Sequence, residues 1–231
     1  MPRLIDIYLE KLKKSLVEMS SMVDEQVHFA LRSVKEFDKD LAQKVIQMDF
    51  VVDKFDVKIE KKCHKLFALN QPFAIDLRSI ISALSINNDL ERIGDLSVNI
   101  SERVLELERM PEFIDQTKFS EMCVAVEQML KDSIDAYIHT DAELAKKVIA
   151  ADDELDELNN INCNGLKEMM KKDPKLIDEA IILFVLSRQM ERIGDHCTNI
   201  AEDVYFIVEA QLIKHKFEKE LFLDEEDDLA N

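Results

Sequence analysis

Two matched sets of carboxylates recur along this chain at helical spacing. Glu91, Asp95 and Asn99 lie four apart, and Glu191, Asp195 and Asn199 repeat them one hundred positions later. Upstream, Asp49 with Asp53 and Asp152 with Asp156 keep the same spacing of four, at an offset of 103. Residues four apart share one side of an α-helix, so each pair offers both carboxylates to the same neighbour. All-oxygen donors suit hard cations such as Fe(III), Mn(II), Mg(II) or Ca(II), with Zn(II) matched less well. A face with more carboxylates than one ion needs could hold a bridged multinuclear cluster.

In so acidic a chain the spacing alone proves little, and height along the helices is the stronger argument. Counted from a turn near Gln71, Asp53 and Asp49 lie 18 and 22 residues before it, and Glu91 and Asp95 lie 20 and 24 after it. At 1.5 Å per residue these are heights of ~27–36 Å, so an antiparallel hairpin brings the pairs level. Counted from Asp173, Asp156 and Asp152 lie 17 and 21 residues before, and Glu191 and Asp195 lie 18 and 22 after. Carboxylates converging at one height repel by several tenths of a kcal/mol per exposed pair unless cations neutralise them. The competing account is that Arg92, Arg192 and nearby lysines answer these acids in surface ion pairs.

The elements that must position these groups are helices. Three glycines, four prolines and no tryptophan, with abundant Leu, Ile, Glu, Lys and Ala, point to long helices with few turns. The phrase Glu91-Arg92-Ile93-Gly94-Asp95 returns as Glu191-Arg192-Ile193-Gly194-Asp195, which implies a duplicated unit. Ile86, Leu90, Ile93, Ser97, Ile100, Val104 and Leu107 alternate by four and three, the seam of a packed helix, and Leu186 to Ile207 repeat it. The preceding helix repeats as well, Leu41 to Ile46 resembling Leu144 to Ile149.

Helices are expected at about 3–36, 39–69 and 74–110, then 117–139, 142–171 and 176–212. The fold class is therefore all-α, two tandem three-helix bundles at 1–112 and 113–216, followed by an acidic tail at 217–231. Asp38 and Asp141 precede helices where a short side-chain oxygen can accept an unpaired backbone N–H. Gly94 and Gly194 each cost on the order of 1 kcal/mol relative to alanine in a helix, so close approach of another helix or a ligand is expected there.

Composition bounds the function. Thirty basic residues against 48 acidic give a net charge of −18, which repels phosphate backbones and argues against nucleic-acid binding. The last fifteen residues hold seven acids and one lysine. Cys63, Cys123, Cys163 and Cys197 form no CxxC pair and read as buried thiols of a reducing compartment. No apolar run reaches the ~18 residues of a membrane span, and Asp6 and Glu10 interrupt any signal-peptide core. A cytoplasmic protein is the expectation.

The phrases Ile80-Ile81-Ser82-Ala83-Leu84, Asn88-Asp89-Leu90-Glu91-Arg92-Ile93-Gly94-Asp95 and Met190 to Asp195 with Asn199-Ile200-Ala201-Glu202 resemble the PhoU family of phosphate-uptake regulators. The resemblance spans nearly the whole chain and includes the paired acidic motifs. It implies a non-enzymatic accessory protein of the phosphate ABC transporter and a negative regulator of the phosphate-starvation response. It further implies contact with the ATPase subunit PstB and the sensor histidine kinase PhoR, a homodimer, and multinuclear iron or other metal on the acidic faces. The implied ligands are Asp49, Asp53, Glu91, Asp95 and Asn99, and Asp152, Asp156, Glu191, Asp195 and Asn199.

Three other readings share some of these features: a PhoU-like regulator of a different transport system, a metal buffer, and a carboxylate-bridged metalloenzyme. The last normally uses Glu-x-x-His pairs. His196 lies five residues after Glu191 and has Leu96 as its counterpart, so it reads as a surface or packing histidine.

Overall fold

Hydrophobic seams of this length can be buried only against one another, and the chain folds into six long helices that do so. The computed structural model describes residues 3–211. Its helices are α1 (Leu4–Glu36), α2 (Lys39–Asn70), α3 (Ile75–Glu106), α4 (Phe119–His139), α5 (Ala142–Lys172) and α6 (Ile177–Glu209). Single 3₁₀ turns at Ile114–Gln116 and Pro174–Leu176 complete the described secondary structure. The expected tail at 217–231 lies outside the described residues, and the sixth helix ends at Glu209, short of the expected 212, because Ala210 turns left-handed as its cap.

The first three helices pack on one another, the last three do likewise, and the two sets meet chiefly along α3 and α6. The seam residues of both halves are buried: Ile86, Leu90, Ile93, Ile100 and Val104 on α3, and Leu186, Met190, Ile193, Cys197, Ile200 and Val204 on α6. One continuous apolar core therefore runs through both bundles. Arg3 and Asp76 tie the start of α1 to the start of α3 through a two-pronged ion pair, 3.0 Å in each arm.

Helix ends follow local chemistry. Asp38 accepts from the Asp40 and Leu41 amides at 2.9 and 3.0 Å, and Asp141 accepts from Glu143 and Leu144 at 3.0 Å each. These bonds satisfy orphan donors of the first turn, as the sequence predicts. α3 stops four residues earlier than expected, at Glu106 rather than 110. Leu107 turns extended and is buried with Phe113, so the linker before α4 gains more from burial than from another helical turn. All four cysteines are free and buried. Burial pushes the Cys63 and Cys123 thiols up to about 12, which leaves them unreactive. Among the described residues no helix is long and apolar enough to cross a membrane.

Candidate metal-binding acidic faces

Antiparallel packing of α2 on α3 brings Asp49, Asp53, Glu91 and Asp95 into one electrostatic neighbourhood. Loss of hydration raises the Asp49 carboxyl above the usual range, and the charges of Asp53 and Asp95 raise it further. Glu91 is raised first by the same desolvation and then by Asp95, Asp56 and Asp53, against a lowering effect of Arg92. Counting along the hairpin thus predicts which acids meet. It does not predict their shelter: Asp49, Glu91 and Asp95 are half-buried, so the face is less open to solvent than spacing from the seam suggests.

The second face is built by α5 and α6. Desolvation raises Glu191, helped by Asp195, Asp156 and Asp152 and opposed by Arg188. Asp195 meets solvent along much of its side chain, yet loss of hydration at its carboxyl and the nearby Asp156 still push it up. One carboxylate oxygen of Glu191 is buried without a hydrogen-bond partner. An uncompensated carboxylate oxygen is costly, and a cation is the ligand that would relieve it.

The glycines explain how closely the helices approach. Both have ordinary helical backbone, so the requirement is space rather than conformation. A methyl on Gly94 would sit 3.1 Å from Gln26 Oε1 and 3.5 Å from Asp49 Oδ1. A methyl on Gly194 would collide with Leu155 Cδ2 and lie 3.6 Å from Met129 Cε. Gln26 and Met129 are 103 positions apart, as are Asp49 with Asp152 and Val52 with Leu155, so the repeat extends to α1 and α4.

That correspondence exposes an asymmetry. At the first face the buried Gln26 amide donates to Asp49 Oδ1 at 3.1 Å, whereas the second face has the thioether of Met129 in its place. At the second face Arg188 Nη1 holds Glu191 Oε1 at 3.0 Å, while its counterpart in the first half is Asn88. Arg92 lies 3.3 Å from Asp95 and 3.5 Å from Glu91. These are exposed or partly exposed ion pairs of modest strength.

Sequence reasoning does not find Gln26, Arg188 or Asp56. Asp56 extends the first face by one turn, carries a hydrogen bond from Asn87 Nδ2, and is itself raised by desolvation. Asn99 lies on the exposed side of α3, one turn beyond Asp95. Asn199 is engaged elsewhere: its Nδ2 donates to Asp89 Oδ1 at 3.2 Å across the α3–α6 seam. His196 Nδ1 meets the same oxygen at 2.8 Å, so this histidine is a polar tie between the bundles.

The donor chemistry fits a hard cation, since every grouped side chain offers oxygen and the carboxylates disfavour one another's charge. Among the described residues no three of His, Cys, Asp or Glu close around a single point by themselves.

Comparison with known proteins places this arrangement in a family. The PhoU domain family model matches residues 16–104 and 119–204, one copy over each half. A phosphate-specific transport system accessory protein PhoU homolog of Aquifex aeolicus is 36% identical over 212 residues, 92% of this chain and 96% of that protein. The Caulobacter vibrioides homolog of the same name is 37% identical over 199 residues, 86% of each chain. The crystal structure of PhoU from Pseudomonas aeruginosa superimposes with a TM-score of 0.86 at 31% identity, covering 89% of this chain and 99% of that one. The phosphate transport system regulatory protein PhoU from Streptococcus pneumoniae gives a TM-score of 0.85 at 26% identity, covering 91% and 100%. With its fold, its duplication and both acidic hairpins accounted for, this chain belongs to the PhoU family.

Proposed function

We propose that this protein is a cytoplasmic accessory protein of a phosphate-specific transport system and a negative regulator of phosphate uptake and of the phosphate-starvation response. The observation that carries the reading is family membership over both halves of the chain, including relatives named for that transport system. In this reading it acts by contact with the transporter ATPase subunit PstB and the sensor histidine kinase PhoR, as a homodimer, and carries out no catalysis.

Asp49, Asp53, Glu91, Asp95 and Asn99 would hold metal at the first face, and Asp152, Asp156, Glu191 and Asp195 at the second, with iron the first candidate; Asn199 would join them only by giving up its bond to Asp89. A bound cation would supply positive charge that cancels the carboxylates and offers an anion-binding position on an otherwise repellent surface. The protein's own part is to hold the acidic helices at fixed separation through Gly94 and Gly194, and to set Asp49 through Gln26. Metal-loaded faces, or the groove beside them, then hold transporter or kinase in a signalling-off state while phosphate is plentiful.

The test is expression of an alkaline phosphatase reporter in phosphate-replete cells with the gene deleted and then restored. High output that restoration reverses supports the regulator. Repressed output unaffected by deletion would transfer the chain to another transport system or to metal buffering.

A further inference from the structure

At the α2–α3 turn end of the first bundle, ~14–30 Å along α2 from Asp53 and Asp49, α1 and α2 leave a cavity of about 310 Å³. It is lined by Leu4, Tyr8, Lys11, Lys62, Lys65, Leu66 and Leu69. Leu4 and Leu69 are 63% and 68% exposed, and Phe73 in the adjoining turn is 77% exposed. Large apolar side chains gathered in the open mark a surface that something covers. Three lysines line this one cavity in a chain whose net charge is −18. Lys62 is drawn inward, its Nζ donating to Ser15 Oγ and lying 3.4 Å from the Lys11 carbonyl. Lys11 and Lys65 are exposed, and among the described residues neither forms an ion pair, so their charge faces whatever sits there.

The required occupant is apolar at its centre and acidic on its flanks. The chain contains such a segment. Glu218 and Glu220 precede Leu221-Phe222-Leu223, and Asp224, Glu225, Glu226, Asp227 and Asp228 follow it. It also starts from the right place. Val204 and Ile207 of α6 line a groove of about 270 Å³ together with Leu9, Leu12, Lys13 and Ile75. That groove flanks the same three turns of α1 that supply Leu4, Tyr8 and Lys11 to the cavity. The helix ends two residues after Ile207, at Glu209, so the chain must pass only one helix, ~10–12 Å across, to reach the lysines. Ten residues, 212 to 221, span up to ~33 Å when extended.

We infer that the acidic C-terminal segment folds back on its own first bundle, with Leu221, Phe222 and Leu223 in the α1–α2 cavity and the flanking acids on Lys11, Lys62 and Lys65. Tethering makes the contact intramolecular, at an effective concentration of the order of millimolar, so weak apolar and ionic contributions suffice to populate it.

The chain lacks tryptophan, so Phe222→Trp places a lone fluorophore at the centre of the segment. In the full-length protein this residue should emit at blue-shifted wavelength and resist acrylamide quenching several-fold better than a free tryptophan, unchanged on dilution. Adding Lys11→Glu with Lys65→Glu, both exposed positions, should return it to water-like emission with helical content intact. Water-like, freely quenched emission without the lysine changes would overturn the inference. So would shielding that survives them, which places the segment elsewhere, or shielding lost on dilution, which assigns it to a second copy of the chain.

Discussion

Gln26 Nε2 donates to Asp49 Oδ1 at 3.1 Å, although Gln26 stands on a different helix from every acid of its face and is fully buried. Its Oε1 has no partner and lies against Gly94. A buried amide committed on one side only is held for the Asp49 contact. Replacing Gln26 by Met, the residue at the matching position of the second half, removes that donor without opening a cavity. Asp49 then loses its lowering hydrogen bond, and its carboxyl should titrate higher still. We expect a stability change within about 1–3 kcal/mol, read by urea unfolding, with Asp49 followed by NMR titration. An unchanged Asp49 titration would remove Gln26 from the site.

Gly194 makes a second case. Gly to Ala inside a helix ordinarily stabilises by roughly 0.5–1 kcal/mol. Here the added methyl meets fully buried Leu155, so Gly194→Ala should instead destabilise by about 1–3 kcal/mol, the usual cost of overpacking. At Gly94 the neighbour is an amide end at 3.1 Å, and the penalty should be smaller. Combining Gly194→Ala with Leu155→Val should cost less than the sum of the two singles, a coupling measurable in a double-mutant cycle. Strict additivity would mean that the glycine serves some purpose other than helix approach.

How far such contacts can be read from sequence depends on where their partners come from. The α3 and α6 seams, the Asp38 and Asp141 caps and the meeting of Asp49 with Asp95 follow from periodicity and from counting along one hairpin, since local geometry fixes them. Gln26 belongs to α1, and no spacing within α2 or α3 points to it. Arg188 and His196 break the repeat, with Asn88 and Leu96 at their counterparts, so duplication hides them rather than reveals them. The early end of α3 escaped the pattern because Leu107 and Phe113 find burial in the linker, a tertiary gain that outweighs helix propensity.

The Asp89 cluster joins the bundles and is testable by borrowing from the other half. Asp89 is 5% exposed and accepts from His196 at 2.8 Å and Asn199 at 3.2 Å. His196→Leu copies Leu96 and strands much of a buried carboxylate, which should cost about 1–3 kcal/mol. Adding Asp89→Gln, which copies Gln189, removes the stranded charge and should recover most of the loss. If the double variant unfolds as easily as His196→Leu alone, the histidine supports the seam by packing and not through Asp89.

The raised carboxyls set the sign of a pH effect in metal-free protein. Glu91 and Glu191 bind protons more tightly folded than unfolded, so in the window between the two values the native state carries more protons. Stability from these groups is fully present below the ordinary glutamate range and is lost as pH rises through the higher folded value. Exposed carboxyls such as Asp6, hydrogen-bonded by Arg3, are lowered and act oppositely, so the comparison must be differential. Urea midpoints of wild type minus Glu191→Gln, measured across that window, should fall with rising pH. A flat difference would show that Glu191 is not penalised by its neighbours.

A hard cation should reverse that penalty, which gives the most direct test of the acidic faces. Changing Asp49, Asp53, Glu91 and Asp95 to their amides removes mutual repulsion, so the metal-free variant should be more stable than metal-free wild type. Adding metal should invert the order, because only intact carboxylates gain from it. A cation at a hundredfold excess over its Kd contributes about 2.7 kcal/mol per site. Elemental analysis should show the first-face variant retaining the metal of the second face, and a variant amidated at both faces retaining none. Equal metal content in all three proteins, or an equal thermal shift on adding Fe(III) or Mn(II), would leave these carboxylates as solvated helix faces with no metal role.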